Sequence, residues 1–280
     1  MRRFYCVLGD PVAHSRSPAI HTRAFALLGI DAVYAPCRVT ALDLARAVIG
    51  LRALGCAGFN VTVPHKTAML GLLDDLEPLA SRCGAVNCVA LDEGRAIGHN
   101  TDAIGLLDAL DEREVSIGER AVVVGAGGSA RAAAFVLAQI SALKSVAIVN
   151  RSLGAAQVLA HQAREAGARA EAFTLGSDEA NRALREASLV VHCTTVGLSD
   201  DSLPFDPALL APGTALVDLV YRLPGGATAL VRAARSRGIH AVDGIDVLVH
   251  QAIASLQIWL SRPMAALSKL APQLREAALS

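Results

Sequence analysis

Four small apolar residues, Ala121-Val122-Val123-Val124, run straight into Gly125-Ala126-Gly127-Gly128-Ser129-Ala130, and a helix-patterned stretch follows. Strand, tight glycine turn and helix in this order form the opening unit of a dinucleotide-binding parallel sheet. Gly125 permits the turn, Gly127 lets a pyrophosphate approach the backbone, and small Ala130 lets helix and strand pack closely. Ala126, Gly128 and Ser129 complete the turn and the helix start, whose unpaired amides face phosphate oxygens. A glycine turn kept for packing alone is the bland alternative.

The same alternation of short apolar runs and amphipathic stretches fills the chain. Strands are expected at Phe4–Gly9, Val33–Cys37, Gly58–Val61, Ala121–Val124, Ser145–Val149, Leu189–Cys193 and Ala215–Leu219. Ala85–Ala90 and Arg95–His99 read as a strand pair around the turn Asp92-Glu93-Gly94. Helices are expected at Pro18–Leu28, Leu42–Leu54 and Ala103–Asp111, and two more, Asp246–Leu260 and Pro263–Leu279, close the sequence. The fold class is therefore α/β, with parallel sheets covered on both faces. Residues 1–102 are expected to form a substrate-binding and catalytic domain, joined by the C-terminal helices of 244–280. Residues 103–243 are expected to form a Rossmann-type dinucleotide domain, with a cleft between the two.

Composition narrows the function class. The 280 residues are 53% hydrophobic and 19% charged, ample for a core and unlike a disordered chain. Formal net charge is zero, so no global field favours nucleic acid or an anionic membrane. No apolar run is long enough to span a bilayer, and Arg2-Arg3 precede no sustained apolar stretch, so no signal peptide is expected. The six cysteines show neither CxxC nor finger spacing. They read as reduced thiols of a cytoplasmic protein, with no metal site. Monomer and homodimer both remain open.

Two choices of ligand chemistry follow from local sequence. An NAD site carries Asp or Glu at the end of the second strand; here Ser145–Val149 leads into Asn150-Arg151-Ser152. A guanidinium suits a 2′-phosphate, so NADP is the expected cofactor, with NAD use still possible. Small polar residues meanwhile cluster in the first hundred positions: His14-Ser15-Arg16-Ser17-Pro18, Asn60-Val61-Thr62-Val63-Pro64-His65-Lys66, Ala85-Val86-Asn87 and Asn100-Thr101-Asp102. Ser17 before Pro18 reads as a helix N-cap, which leaves Ser15 unexplained; two hydroxyls near a helix start also suit a carboxylate. Lys66 as a solvated lysine and Asp102 as the N-cap of the helix from Ala103 are the bland readings.

Taken in order, these motifs resemble the shikimate dehydrogenase family, from Gly9 to Trp259. The closing segments Asp218-Leu219-Val220-Tyr221, Gly244 and Leu248-Val249-His250-Gln251-Ala252 resemble it too. The resemblance implies reduction of 3-dehydroshikimate to shikimate with NADPH, a step in making aromatic amino acids. It implies that Ser15 and Ser17 hold the substrate carboxylate. Thr62, Lys66, Asn87, Asp102 and Gln251 would meet the ring hydroxyls and ketone, with Asn60 and Tyr221 close by. Lys66 and Asp102 would be the catalytic pair, and Leu219 and Gly244 would lie along the nicotinamide. The chemistry fits: hydride arriving at a carbonyl carbon leaves charge on oxygen, which a nearby ammonium stabilises and protonates.

Several positions depart from the family pattern. Leu153-Gly154-Ala155 stand where a second basic residue is expected, which removes half of a phosphate clamp. Cys88 replaces a usual Thr, His192 a frequent Asn, and Val247 a frequent Met. A quinate or quinate/shikimate dehydrogenase using NAD is the first competitor. A non-catalytic ligand-binding descendant is the second, and retention of both Lys66 and Asp102 speaks against it.

Overall fold

The computed structural model describes residues 2–222 and 226–280. The chain divides into two compact units: the first runs to Gly105 and resumes at Leu248, and the second is Leu106–Val247. Both dividing points lie inside helices.

The first unit opens with strand β1 (Arg3–Gly9), helix α1 (Ser17–Leu27), β2 (Ala32–Arg38), α2 (Leu44–Ala53) and β3 (Gly58–Val61). It continues with β4 (Asp75–Leu76), α3 (Pro78–Cys83), the hairpin β5 (Cys88–Asp92) and β6 (Arg95–His99), and α4 (Thr101–Glu112). The sheet order is β2-β1-β3-β5-β6-β4. β1 runs parallel to β2 and β3, whereas β5 is antiparallel to both β3 and β6. This mixed order has one consequence for chemistry. The carboxyl ends of β1, β3 and β6 and the amino end of β5 all meet one edge, as the pairs Leu8↔Val61, Asn60↔Cys88 and Cys88↔His99 show.

The second unit is β7 (Arg120–Val124), α5 (Gly128–Ala138), β8 (Ser145–Asn150), α6 (Leu153–Glu165), β9 (Ala170–Thr174), α7 (Asp178–Glu186), β10 (Leu189–His192), β11 (Ala215–Asp218), α8 (Ala229–Ser236) and β12 (His240–Val242). Its sheet is parallel, in the order β12-β11-β10-β7-β8-β9. Val122, Val124, Val149, Val190 and Leu216 sit in one buried cluster with residues of α7 and α8, as expected of strands covered by helices.

Helix α9 (Gly244–Leu260) leaves the second unit, and α10 (Met264–Leu267) and α11 (Ala271–Leu279) finish the first. α11 packs on α1. Trp259 of α9 donates its indole N–H to the Val89 carbonyl at 3.0 Å and meets the rings of Tyr5 and His21. It is a packing residue.

Four local expectations need correction. Ser17 is not an N-cap: Arg16 occupies that position without a side-chain bond, and Ser17 is the first helical residue. The hydroxyl of Ser15 accepts from the Ser17 amide at 3.3 Å instead. Asp102 is not an N-cap either. Asn100 accepts from the Ala103 amide at 3.1 Å, which starts α4 two residues earlier and leaves the Asp102 carboxylate for other partners. The first hairpin strand starts at Cys88 rather than Ala85, because 85–87 are tied to a loop through the Val86 amide and the Lys66 carbonyl, 2.8 Å apart. The last helix is broken by a 3-10 turn at Ser268–Leu270, and Pro272, lacking an amide hydrogen, sits in the first turn of α11.

Candidate active site

Lys66 follows β3 on a loop that the sheet edge holds firmly. The Thr62 amide donates to the Leu8 carbonyl at 2.8 Å, and the His65 ring meets the Val39 carbonyl at 2.7 Å. Buried His65 is thus scaffolding. The loop presents Lys66 Nζ to Asp102 Oδ2 at 2.6 Å, with side chains 13% and 16% exposed. The pair is shielded from bulk water yet not sealed, which a reactive pair needs.

Asn87 completes the geometry. Its amide nitrogen donates to the other Asp102 oxygen at 2.7 Å and to Thr101 Oγ1 at 2.9 Å. Its own oxygen accepts from the Thr101 amide at 2.6 Å. Gln251, on α9, lies 3.4 Å from the Asn87 amide nitrogen and donates its own to the Leu248 carbonyl at 2.8 Å. Lys66, Asp102, Asn87 and Gln251 therefore form one network from residues up to 185 positions apart in sequence order.

Behind them lies a brace. Asn60 is buried, accepts from the Tyr34 hydroxyl at 2.7 Å, and donates to the Asn87 carbonyl at 3.1 Å and Ser255 Oγ at 3.0 Å. Ser255 also meets Thr101 Oγ1 at 3.2 Å. Sequence reasoning assigned no role to Tyr34, Thr101 or Ser255. A serine one turn after Gln251 inside an apolar helix is the one signal that pointed there. Tyr34 stacks on His21 with ring centroids 4.4 Å apart. Neither buried His21 ring nitrogen has a hydrogen bond of good geometry, and burial, opposed in part by the Asn60 side chain, pushes the imidazole down to about 3. Burial likewise pushes the Cys88 thiol up to about 12, so it is a packing group.

Ser15 and Ser17 sit on the segment that leaves β1, at the same sheet edge as Lys66. The Asp10 amide donates to the Val63 carbonyl at 3.0 Å, which joins the starts of the two loops. Thr62 is half-buried beside Gly9. Tyr221 belongs to the second unit, half-buried in the segment after β11.

In the second unit, Gly125 has φ +121, and a Cβ there would meet the Cys193 carbonyl carbon and Thr194 Cγ2 at 3.2 Å. Glycine is therefore required at this turn. Open space surrounds the Cβ position of Gly127, no side chain caps α5, and Ala130 is fully buried. A turn of this shape accepts a phosphate on its amides. Asn150 donates to the Ser152 carbonyl at 3.1 Å, and Ser152 caps α6. Arg151 is exposed and makes no hydrogen bond or ion pair to another described residue. Gly244 lies against the chain after β11: a Cβ there would come 2.7 Å from the carbonyl oxygens of Leu219 and Val220. Among the described residues, no group of three or more His, Cys, Asp or Glu is arranged to hold a metal. No helix of the described residues is long and apolar enough to cross a membrane.

Residues 7–89 match the family model of the shikimate dehydrogenase substrate-binding domain, and 109–198 match that of shikimate/quinate 5-dehydrogenase. The NADP(+) shikimate dehydrogenase of Symbiobacterium thermophilum is 44% identical over 93% of this chain and 90% of its own. The crystal structure of Thermus thermophilus shikimate 5-dehydrogenase with NADP(H) and shikimate superposes with a TM-score of 0.84 at 35% identity, covering 97% of this chain and 99% of that one. Quinate dehydrogenase from Corynebacterium glutamicum, solved with NAD, gives a TM-score of 0.86 at 27% identity and covers 99% of each chain. With relatives this similar along nearly its whole length, the chain belongs to the shikimate dehydrogenase family.

Proposed function

We propose that the protein is an NADP-dependent shikimate dehydrogenase, interconverting 3-dehydroshikimate and shikimate. The observation that carries this reading is the Lys66–Asp102 contact of 2.6 Å, shielded from water and aligned by Asn87. Gly125–Ala130 would receive the pyrophosphate, Arg151 with Asn150 and Ser152 the adenosine 2′-phosphate, and Leu219 and Gly244 the nicotinamide end. When bound, the dinucleotide supplies or accepts the hydride.

The chain's own residues handle the rest. As the ketone oxygen gains charge, the Lys66 ammonium stabilises it and delivers a proton; in the reverse direction Lys66 receives that proton. Asp102 holds the ammonium in place and offers an oxygen to a ring hydroxyl. Asn87 fixes that carboxylate by a bond which does not depend on substrate. Ser15 and Ser17 anchor the substrate carboxylate, and Thr62, Gln251 and Tyr221 meet its hydroxyls. Asn60 acts one step back, because its amide is committed to Tyr34, Asn87 and Ser255. None of the six cysteines is in a disulfide among the described residues, which suits a cytoplasmic setting.

One feature favours a second reading, a quinate-using enzyme with NAD. Arg151 is followed by Leu153-Gly154-Ala155 in place of a second cation. Steady-state oxidation of shikimate and quinate, each with NADP+ and NAD+, separates the two. Shikimate with NADP+ is the expected best pair, and Lys66→Ala lowers its turnover by about 10²–10⁴. Quinate with NAD+ as the best pair replaces the first reading with the second. Near-normal turnover in Lys66→Ala removes the mechanism.

A further inference from the structure

The second unit carries a buried ionisable pair that the reaction does not use. His192 ends β10, Asp218 ends β11, and the two strands pair these residues directly. Their side chains are 0% and 1% exposed. Between two fully buried strands, such a pair is costly unless every polar atom is satisfied.

Here every polar side-chain atom of the pair has a partner. Asp218 Oδ1 accepts from His192 Nδ1 at 2.8 Å and from the Val220 amide at 3.0 Å. Asp218 Oδ2 accepts from the Thr228 hydroxyl at 2.5 Å. Its Nδ1 faces the carboxylate, and His192 Nε2 pairs with the Thr194 hydroxyl, 2.5 Å away. Thr194 Oγ1 in turn accepts from the Val196 amide at 3.1 Å. One imidazole and one carboxylate thus fasten the turn after β10 to the turn after β11 and to the cap of α8.

Both turns border the dinucleotide elements. Thr194 and Cys193 form the wall against which Gly125 is packed. Leu219 donates its amide to the His192 carbonyl at 3.0 Å, and Gly244 rests on the carbonyls of Leu219 and Val220. We propose that His192, acting with Asp218, is a positioning residue that sets the two turns framing the nicotinamide half of the cofactor. This rests on the proposed dinucleotide reading of the second unit.

A truncated ligand separates this role from a merely structural one. NADP+ carries the nicotinamide half, and adenosine 2′,5′-bisphosphate lacks it. Calorimetric titration of the full chain compares the two ligands for wild type, His192→Leu, His192→Gln and Thr194→Val. His192→Leu is expected to weaken NADP+ roughly tenfold, the equivalent of one buried hydrogen bond, with the bisphosphate changed less than about threefold. Thr194→Val keeps the buried pair and breaks the Nε2 link together with the bond from the Val196 amide, so it carries the test should the leucine variant not fold. It is expected to show the same selective loss. His192→Gln, which keeps a donor and an acceptor, recovers most of the affinity. Equal weakening of both ligands, no weakening of either, or glutamine behaving like leucine each overturns the inference. A wild-type chain that binds neither NADP+ nor NAD+ sinks the dinucleotide reading together with it. A wild type that binds NADP+ while its variants bind equally well sinks the inference alone.

Discussion

Acid should unfold the first unit partly through one residue, His21. Its fully buried ring packs against Tyr34 and Trp259, and burial, opposed in part by the Asn60 side chain, lowers it from the ordinary 6.5 to about 3. Between those values the unfolded chain binds a proton that the folded chain refuses. Stability from this group is complete above about pH 6.5 and drains away as pH falls towards 3. At 1.36 kcal/mol per pH unit, the loss between pH 7.5 and pH 5.0 is about 2 kcal/mol. The assay is urea unfolding at the two pH values, for wild type and His21→Phe. The single tryptophan, Trp259, has its ring 5.2 Å from His21 and reports on this unit directly. Wild type should lose about 2 kcal/mol more than the variant. Comparing each protein with itself cancels the packing cost of the larger ring, and cancels His14 and His99, which burial also lowers. Equal losses in the two proteins, within about 0.5 kcal/mol, refute the argument that the imidazole is buried and neutral.

Other outcomes follow from the same structure. Tyr34→Phe leaves Asn60 Oδ1 buried without its donor and should cost about 1–3 kcal/mol in urea unfolding; a change below about 0.3 kcal/mol would show that the brace is loose. Gly125→Ala places a Cβ on a backbone at φ +121, 3.2 Å from Cys193, and should abolish measurable dinucleotide binding while the first unit keeps its Trp259 signal. Arg151→Glu should turn cofactor preference from NADP+ towards NAD+ by about tenfold or more in kcat/KM, because the carboxylate repels a 2′-phosphate and accepts from a 2′-hydroxyl; unchanged preference would remove Arg151 from the adenosine site.

The legible parts of this chain were those where one local pattern serves one purpose. β7 and its glycine turn could be read because four apolar residues and two special backbone positions fall in immediate succession. β9 was missed because it is an edge strand: Ala170-Glu171-Ala172-Phe173-Thr174 is half polar and pairs only with β8. Capping was misplaced at both α1 and α4 for a common reason. Asn100, Thr101 and Asp102 are all competent caps, and so are Ser15 and Ser17. Tertiary contacts decide among them, and they gave Asp102 to Lys66 rather than to the helix. Tyr34 and Ser255 escaped notice because their link to Asn60 is made only by folding, across 26 and 195 positions.

That long-range link bears on how the protein is made. The first unit is interrupted by the whole of the second, and its remaining helices are synthesised after it. Until α9 emerges, Asn60 has no Ser255 to bond, and the rings of Tyr5, His21 and Tyr34 have no Trp259 to cover them. Vectorial synthesis therefore releases the strands of Leu106–Val247 before the first unit has all its helices. The brace behind Lys66 and Asp102 is thus closed by a helix translated almost two hundred residues after Lys66 itself.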